Sequence, residues 1–322
     1  MRPKHSLVYM GTPDFAVEPL QALHRAGYHI KAVFTQPDRP AGRGKIMRQP
    51  EVKAAALKLG LPVYQPDSLR NGEVLKLLSD LNPDVIVVAA YAQLLPAEVL
   101  ALPRYGCKNI HASLLPKYRG GAPIQWAIVR GERETGISIM HMDTGLDTGD
   151  IIMQEAVVIG SEETAGGLTE RLSALGARMI LECLSMADMG EGMRRPQEHG
   201  AATFARNLRK TDGLLDWNRS AQKIHDAIRA FNPWPGAYTF LGKLRISLQK
   251  SSLTEYAYKL SPGHIAFTDG KLLVGTSDSA VEIVELTPAG KRAMDGQAFA
   301  KGYLSRLATH DQKFSQYQIG GE

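Results

Sequence analysis

Asn109 and His111 are two polar side chains at the end of a short apolar segment, Gly106-Cys-Lys-Asn-Ile-His111. If this segment is a β-strand, both side chains project from the same face, because successive residues of a strand alternate between its two faces. An amide that donates a hydrogen bond and an imidazole that moves a proton suit reactions in which a carbonyl oxygen becomes negatively charged. The spacing is also compatible with a capping asparagine and a hydrogen-bonded core histidine.

An acidic segment, Met142-Asp-Thr-Gly-Leu-Asp-Thr-Gly-Asp150, offers three carboxylates. Three interpretations stay open: a calcium loop, a catalytic acid with helpers, and a turn held by its own aspartates. The spacing differs from that of an EF-hand and no matching cluster of ligands occurs nearby, so we predict no metal site. A carboxylate beside a histidine raises the pKa of the imidazole and orients the ring, which gives Asp147 a physical reason to face His111.

A long segment, Thr35–Pro50, combines three prolines and four basic residues with a single acidic residue. Loops of this length in compact domains are often functional, although an exposed loop without a role fits the composition as well. Gly42-Arg43-Gly44-Lys45 lacks the spacing of a P-loop, and Gly11-Thr12-Pro13-Asp14 lacks the later glycines of a dinucleotide-binding turn. Neither motif therefore predicts nucleotide binding.

The scaffold for these residues is predicted by alternating apolar and amphipathic segments in the first half of the chain. Continuous runs rich in Val and Ile between helical patterns are typical of parallel strands covered on both faces. We therefore predict a doubly wound, mostly parallel, Rossmann-like α/β domain, with Asn109 and His111 in the crevice at the carboxyl ends of its strands. Thr12 and Pro13 predict a helix N-cap and first helical position. The predicted strands and the long closing helix are Ser6–Met10, Ile30–Thr35, Val85–Ala90, Gly106–His111, Gly136–Met142 and Thr164–Leu184.

The pattern of the sequence changes in its last third. Residues 190–209 are polar and without period, which is typical of a linker. Short strand-like alternations separated by Gly, Ser and Asp turns follow, and they predict a small antiparallel barrel, for which we favour the OB-like type. The predicted organisation is a catalytic domain at 1–189, a linker at 190–209 and a second domain at 210–322.

Composition and charge exclude several classes of protein. The chain has 322 residues, 44% hydrophobic and 22% charged, which argues against a disordered or fibrous protein. Its 2 cysteines are too few for a disulfide framework and favour a reducing compartment, and no apolar run is long enough to span a bilayer. Residues 1–189 hold equal numbers of basic and acidic residues, so the formal net charge of +5 lies in residues 190–322. This asymmetry favours an anion-binding second domain, with a merely solvated surface as the alternative.

Six motifs carry a family resemblance. They are Gly11-Thr-Pro-Asp-Phe15, Gln36-Pro-Asp-Arg-Pro-Ala-Gly-Arg-Gly44, His111-Ala-Ser-Leu-Leu-Pro116, Tyr118-Arg-Gly120, Met142–Asp150 and Phe231-Asn-Pro-Trp-Pro235. Together they closely resemble the methionyl-tRNA formyltransferase family, and the resemblance extends over essentially the whole chain. The Asn-x-His-x-Ser-Leu-Leu-Pro pattern and the later Asp are common to formyltransferases that use 10-formyltetrahydrofolate, whereas the Pro-Asp-Arg-Pro-Ala-Gly-Arg loop and Asn-Pro-Trp-Pro are specific to the tRNA enzymes.

The resemblance implies formyl transfer from 10-formyltetrahydrofolate, as a co-substrate, to the α-amino group of methionyl initiator tRNA. It implies that Asn109, His111 and Asp147 form a catalytic trio and that Arg43 and Lys45 contact the tRNA. The implied folate-contacting positions are Ser113, Leu114, Leu115 and Pro116, with Tyr91, Ala92, Gln93 and Leu94 as the other wall. We also expect a cytoplasmic monomer with no metal and no membrane partner.

The chemistry assigned to the trio follows from charge. We expect Asn109 to donate a hydrogen bond to the developing oxyanion, and His111, held cationic by Asp147, to donate a second one. Either His111 or an ordered water then carries the proton from the amine to the leaving nitrogen. A formyltransferase for a sugar nucleotide or glycinamide ribonucleotide is the alternative enzyme, and a nucleic-acid-binding module without activity is the alternative of another class.

Overall fold

The computed structural model of the chain describes residues 5–41, 46–186, 189, 191–254, 259–308 and 311–316. The chain packs into two compact units that are interleaved in sequence. The first unit comprises Met1–Pro123, Glu134–Val158 and Thr169–Arg206, and the second comprises Ile124–Arg133, Ile159–Leu168 and Asn207–Glu322. Each unit contains a sheet and a hydrophobic core of its own.

The first unit is built on alternating strands and helices. Its strands in the described residues are β1 Ser6–Gly11, β2 His29–Phe34, β3 Arg39–Ala41, β4 Ile46–Arg48, β5 Val63–Tyr64, β6 Val85–Ala89, β7 Cys107–His111, β8 Glu134–His141 and β9 Ile151–Val158. The helices up to residue 185 are α1 Val17–Arg25, α2 Glu51–Lys58, α3 Gly72–Leu81, α4 Ala97–Leu100, α5 Pro123–Val129 and α6 Ala165–Ser185. Of these, residues 124–129 of α5 and 165–168 of α6 belong to the second unit. The main sheet has the order β5-β2-β1-β6-β7-β8-β9, and β3 pairs with β4 in a separate hairpin.

The main sheet is mostly parallel, as predicted. Strands β5, β2, β1, β6 and β7 run parallel to their neighbours, and β8 and β9 complete the sheet in antiparallel pairs. Every residue of β6 is buried, as are Leu7–Met10 of β1. These strands are apolar without alternation because helices or loops cover both faces of a parallel sheet. The predicted doubly wound α/β class is confirmed.

The order in which strands are added to the sheet reverses between β1 and β6, which are parallel neighbours. Strand β2 lies on one side of β1 and β6 lies on the other, so the connections after these strands leave in opposite directions. Such a point opens a crevice at the carboxyl ends of the strands. Gly11 at the end of β1 is packed closely, because a Cβ atom there lies 2.7 Å from Ala16 Cβ and 3.0 Å from Ala89 O. Any larger residue at this position therefore forces Ala16 or the end of β6 to shift.

The turn after β1 differs from the prediction. Pro13 is extended, Asp14–Ala16 forms a 3-10 turn, and α1 begins at Val17 without a side-chain cap. The hydroxyl of Thr12 instead donates to the carbonyl of Tyr91 at 3.3 Å. The prediction of Thr12 as N-cap is wrong because a threonine hydroxyl can serve a distant carbonyl as well as a local amide, and the sequence does not distinguish the two.

The second unit contains an antiparallel sheet, as predicted. Its described strands and helices are α7 Ala221–Ala230, β10 Ala237–Leu241, β11 Leu244–Leu253, β12 Ile265–Thr268, β13 Lys271–Gly275, β14 Ala280–Pro288, β15 Met294–Asp295, α8 Gly296–Gly302 and β16 Phe314–Ser315. The sheet has the order β12-β13-β14-β11-β10-β16, with β15 paired to β14. The amide of Ile265 donates to Gln312 O at 2.9 Å, and the amide of Phe314 donates to Gly263 O at 2.8 Å. These bonds join the two ends of the sheet, which therefore curls back on itself.

The core of this barrel is aromatic as well as aliphatic. Trp217 stacks on Phe314, with ring centroids 5.7 Å apart, and Phe314 also contacts Phe299 at 6.1 Å. Helix α7 contributes Ile224 and Ile228 to the same cluster. In the part of the chain that the structure describes, no helix has the length and apolar character needed to cross a membrane.

Candidate active site

Strand β7 brings Asn109 and His111 to the crevice. Both side chains are buried, and they project from the same face of the strand, as predicted from their spacing. Val88 of β6 is the register partner of Asn109, so the ends of β6 and β7 lie side by side. Whatever binds at the end of one strand is therefore within reach of the residues at the end of the other.

Asp147 lies between these two side chains. Its Oδ1 atom accepts a hydrogen bond from Asn109 Nδ2 at 3.4 Å and lies 3.8 Å from His111 Nδ1. Its Oδ2 atom accepts the backbone N–H of Gly120 at 2.8 Å. The structure thus brings together the amide, the imidazole and the carboxylate that the sequence singles out.

The hydrogen bonds of His111 define the state of its ring. Nε2 lies 3.0 Å from the carbonyl oxygen of Tyr118, which can only accept, so Nε2 carries a proton and donates it to this bond. Nδ1 is the nitrogen that faces Asp147. Only Nδ1 is placed to take up or release a proton on the side of the trio, and a carboxylate stands ready to balance the charge of the resulting imidazolium.

The aspartates of the 143–150 loop have separate partners. Asp143 accepts the N–H of Gly145 at 3.0 Å and the hydroxyl of Thr148 at 2.6 Å, and so organises the loop itself. Asp150 binds Arg194 at 3.1 Å. Among the described residues, no group of three or more His, Cys, Asp or Glu side chains is arranged to hold a metal ion. The loop thus combines a self-supporting turn with one carboxylate, Asp147, that faces the trio.

The segment predicted to contact folate is held by internal hydrogen bonds. The hydroxyl of Ser113 donates to Lys117 O at 2.6 Å, and the amide of Leu115 donates to Ser138 Oγ at 3.1 Å. Ser113 and Leu115 are buried, whereas Leu114 and Pro116 are partly exposed. Of the four predicted positions, Leu114 and Pro116 offer accessible side-chain surface to a ligand.

The predicted second wall divides in the same way. The ring of Tyr91 is buried in the core of the first unit, and Gln93 accepts the amide of Leu69 at 3.3 Å. Ala92 and Leu94 are exposed, Leu94 by 58%. Ala92 has a left-handed backbone, with φ of 66°, which turns the peptide groups of this segment out of the regular strand geometry. The segment therefore offers exposed backbone and apolar surface beside the end of β6.

A buried charge cluster lies behind the trio. Lys108 projects from the opposite face of β7 to Asn109, is fully buried, and bonds to the carboxylate of Glu191. Its ammonium lies 3.4 Å from His141 Nδ1. Burial lowers the pKa of His141, and the charges of Lys108 and Arg194 lower it further against the opposing effect of Glu191. Burial alone raises the pKa of Glu191, but the bonds from Lys108 and Arg194 outweigh it and the net pKa is lowered.

The predicted tRNA contacts Arg43 and Lys45 lie outside the described residues. The strands on either side, β3 and β4, are described, and Ile46 and Met47 of β4 are exposed. The pairing of these strands brings Arg39 opposite Arg48, so basic residues from both strands meet in this hairpin.

Several polar groups at the site are not among the residues predicted from the sequence. They are the carbonyl of Tyr118, the amide of Gly120, and the side chains of Arg119 and Gln197. The Tyr118-Arg-Gly120 motif was the available signal for the first three. No local pattern marked Gln197, which lies in the segment predicted as a linker.

The comparisons with known proteins agree with this geometry. The profile of the formyl transferase family matches residues 4–184, and that of the formyl transferase C-terminal domain matches residues 207–304. The methionyl-tRNA formyltransferase of Pelotomaculum thermopropionicum is 45% identical over 298 residues, which cover 92% of this chain and 95% of that protein.

Two solved structures share the fold at low sequence identity. WlaRD, a sugar 3N-formyl transferase solved in the presence of dTDP and 5-N-formyl-THF, is 17% identical with a TM-score of 0.64, covering 90% of this chain and 99% of that chain. HypX from Aquifex aeolicus in complex with tetrahydrofolic acid is 18% identical with a TM-score of 0.63, and the match covers 92% of this chain and 48% of that longer one. These two structures therefore share the architecture of this chain.

Proposed function

Because the chain belongs to the formyl transferase family and matches a methionyl-tRNA formyltransferase over 92% of its length, we propose that it formylates methionyl initiator tRNA. It transfers the formyl group of 10-formyltetrahydrofolate to the α-amino group of the methionine. The observation that carries the assignment of residues is the convergence of Asn109 and His111 on the carboxylate of Asp147, at 3.4 and 3.8 Å.

The residues at the crevice suit a folate. 10-Formyltetrahydrofolate supplies the formyl group that is transferred. Leu114, Pro116, Ala92 and Leu94 would hold it, because small-ligand sites combine apolar walls with a few well-placed polar groups. The peptide groups around Ala92, turned by its left-handed backbone, supply polar contacts for a flat heterocycle. In this proposal Ser113, Leu115, Tyr91 and Gln93 shape the site from behind, since their side chains are buried or engaged.

The trio stabilises charge and moves a proton. A free α-amino group has a pKa near about 7.7, so a usable fraction is neutral at physiological pH and can attack the formyl carbon. Asn109 donates its amide hydrogen to the formyl oxygen as negative charge develops there. Because His111 Nε2 is engaged by the carbonyl of Tyr118, we replace the second hydrogen bond to the oxyanion, expected from the sequence, by proton transfer at Nδ1. Nδ1 takes the proton released by the amine and passes it towards the leaving nitrogen, while Asp147 balances the imidazolium. The formyl carbon thus forms a bond to the amine nitrogen and loses its bond to the leaving nitrogen. One proton passes from the amine to the leaving nitrogen, and no oxidation state changes.

One outward face of the second unit combines aromatic and basic side chains. Tyr238 and Phe240 of β10 face outwards, because Ala237, Thr239 and Leu241 alternate with them and are buried. Arg245 of β11 lies over the Tyr238 ring, 3.9 Å from its centroid. Arginine and aromatic rings on a strand face suit phosphates and unpaired bases. We infer that this face meets the tRNA and that Arg43 and Lys45 act near the acceptor end.

The remaining parts of the proposal concern the state of the protein. We infer that it acts as a monomer in the cytoplasm, where charged initiator tRNA and folate are available. Gel filtration with light scattering measures the mass of the protein directly, and a dimer contradicts the inference of a monomer.

We also propose that the catalytic domain ends at residue 189 and that the second domain begins at residue 210.

The function is tested by offering the protein alternative acceptors. The purified protein is incubated with 10-formyltetrahydrofolate and methionyl initiator tRNA, and parallel reactions contain glycinamide ribonucleotide or an amino-sugar nucleotide. We expect formyl-methionine on the tRNA and no product from the other acceptors. Formylation of either control with the tRNA left unmodified contradicts the proposed function.

A further inference from the structure

The segment 191–205, called here the strap, follows α6 and runs along the loops of the trio. Its Arg194 binds Asp150 at 3.1 Å. Arg195 exchanges backbone hydrogen bonds with Ile151, each of 2.9 Å, at the start of β9. The strap is therefore fixed to the loop that carries Asp147 at the end where this loop returns to the sheet.

Gln197 of the strap holds the same loop at its centre. Its side chain is 5% exposed, and its Nε2 donates to Asp147 O at 2.9 Å and to Gly149 O at 2.7 Å. Its Oε1 accepts from Arg119 Nη2 at 2.6 Å. Both amide hydrogens and the amide oxygen are engaged, so Gln197 has one orientation that satisfies all its partners.

Arg119 connects Gln197 to the other loop of the site. It is 4% exposed, its amide donates to Thr203 O at 2.8 Å, and its carbonyl accepts from Ala205 at 2.7 Å. The next residue, Gly120, donates its amide to Asp147 Oδ2. The strap thus holds Asp147 at two groups. Gln197 binds the backbone carbonyl of Asp147, whereas Thr203 and Ala205 fix the loop whose Gly120 amide binds the carboxylate.

Asp147 needs such support because its backbone is left-handed. Its φ is 52°, a conformation that is uncommon for residues other than glycine and persists where the surroundings hold it. The Asp147 carboxylate lies 3.4 Å from Asn109 Nδ2 and 3.8 Å from His111 Nδ1, distances that a small rotation of the backbone increases. A catalytic group displaced by about 1 Å can cost up to a hundredfold in rate.

We propose that Gln197 is a positioning residue that acts through Asp147, with Arg119 holding Gln197 in turn. This inference rests on the proposed function, because it takes Asp147 as a member of the catalytic trio. Gln197 is buried, and its amide hydrogens and oxygen are all engaged by protein groups, so we assign it no contact with the substrates. Its effect is on turnover, whereas the binding of folate and tRNA depends on other surfaces.

The test compares kcat and KM in a double-mutant cycle. Gln197→Leu is expected to lower kcat roughly tenfold or more with KM values within roughly threefold of the wild type. In an Asp147→Asn background the same change is expected to lower kcat by less than roughly threefold, because the group it positions is already lost. Equal losses in both backgrounds, or an unchanged kcat in Gln197→Leu, overturn the positioning role.

A second variant covers failure of Gln197→Leu to fold. Gln197→Glu keeps the size of the side chain and its bond from Arg119, but it sets carboxylate oxygens against the carbonyls of Asp147 and Gly149. We expect a comparable loss of kcat with a thermal unfolding midpoint near that of the wild type. Normal turnover by Gln197→Glu overturns the proposal.

The matched control is Gln312→Leu. Gln312 also donates its amide to two backbone carbonyls, those of Leu304 and Leu307 at 3.1 Å each, but it lies in the second unit. We expect its kcat at saturating tRNA to stay within roughly twofold of the wild type. The wild-type reaction separates the two proposals. No formyl transfer by the wild type contradicts the function, whereas normal wild-type turnover with an unaffected Gln197→Leu contradicts the positioning role alone.

Discussion

Asp143, Asp147 and Asp150 share one functional group and differ in what surrounds it. Asp143 satisfies the turn, Asp150 is paired with Arg194, and Asp147 faces an amide and an imidazole. Spacing alone left a calcium loop, a catalytic acid and a plain turn open for this segment. The roles differ because each carboxylate is held by a different partner, which only the three-dimensional contacts reveal.

Asn109 is the residue whose loss separates chemistry from binding. Asn109→Ala removes the proposed donor to the formyl oxygen, and we expect kcat to fall by about 10²–10³ with little change in either KM. Steady-state kinetics with each substrate varied in turn measure this split. Asn71→Ala, which removes the N-cap of α3, is the matched control and is expected to lower stability by about 0.5–2 kcal/mol without changing turnover. Near-normal turnover by Asn109→Ala contradicts the assignment.

His141 predicts a dependence of stability on pH. Its pKa is lowered in the folded chain, chiefly by burial and then by Lys108, so the unfolded chain binds this proton more readily. The stability that neutral His141 contributes is therefore present above the ordinary histidine pKa of about 6.5 and is lost as pH falls below it. His141→Gln keeps a group that can accept from Lys108 but does not titrate.

We expect thermal unfolding to report this difference. Between about pH 7.5 and about pH 5.5, the midpoint of thermal unfolding should fall less in His141→Gln than in the wild type, because only the wild type takes up a proton at residue 141 on unfolding at the lower pH. Calorimetry at both pH values measures it. The same fall in both proteins would show that His141 is not a source of the acid sensitivity.

At the scale of elements, apolar runs predict strands well. Segments that are held by long-range polar contacts cannot be predicted in this way. Val85–Ala90 was expected as a strand and Val85–Ala89 is observed, and the helix expected at Thr164–Leu184 is observed at Ala165–Ser185. These elements are predictable because burial on both faces leaves a local apolar pattern. The strap has no such pattern. Gln197 is 50 residues from Asp147 in the sequence, and nothing local indicates that pairing.

The candidate site divides in the same manner. The grouping of Asn109, His111 and Asp147 could be predicted, because Asn109 and His111 share one face of a strand and the formyltransferase motifs contain all three residues. The sequence does not predict that Ala92 and Leu94 are exposed or that Tyr91 and Ser113 are buried. Their exposure depends on the path of the chain after β6 and β7 end. The tail after Tyr303 had no assigned role in the sequence, yet it supplies β16.

Strand β16 predicts a test of the barrel. Phe314 is 1% exposed, stacks on Trp217 and packs at a tilt against Phe299, so Phe314→Ala is expected to cost about 3–5 kcal/mol in the second unit. Trp217 is buried, and its fluorescence should shift to longer wavelength as the strand is released. Phe267→Ala, at a position of β12 that is 39% exposed, is the control with a much smaller expected loss. Equal losses in both variants contradict the role of β16.

At the scale of the molecule, charge is distributed according to substrate. Residues 190–322 carry the whole formal excess of +5, while the catalytic part is neutral. We therefore expect residues 190–322 to attract the anionic tRNA, and we expect the affinity for tRNA to fall with salt by a log–log slope of about −0.7 to −0.9 for each phosphate contact.

Arg43 tests how the first unit contributes to tRNA recognition. Arg43→Ala is expected to lower kcat/KM for tRNA by roughly tenfold and to leave folate binding intact, because the resemblance places it at the acceptor end. Kinetics with tRNA varied, and folate titration monitored by fluorescence, measure the two effects. Arg25→Ala, which removes an equal charge from α1, serves as the control. Equal loss of folate and tRNA binding would place Arg43 in the folate site instead.

The closure of the barrel by β16 has a counterpart in biosynthesis. A ribosome delivers the chain from its N-terminus, so the strap and every strand of the main sheet have emerged before residues 312–315 are made. Until then β10 and β12 each keep a strand edge without its final partner, and such edges invite wrong pairing. The residues of the trio and the strap can therefore come together on the nascent chain before the sheet of the second unit receives its closing strand.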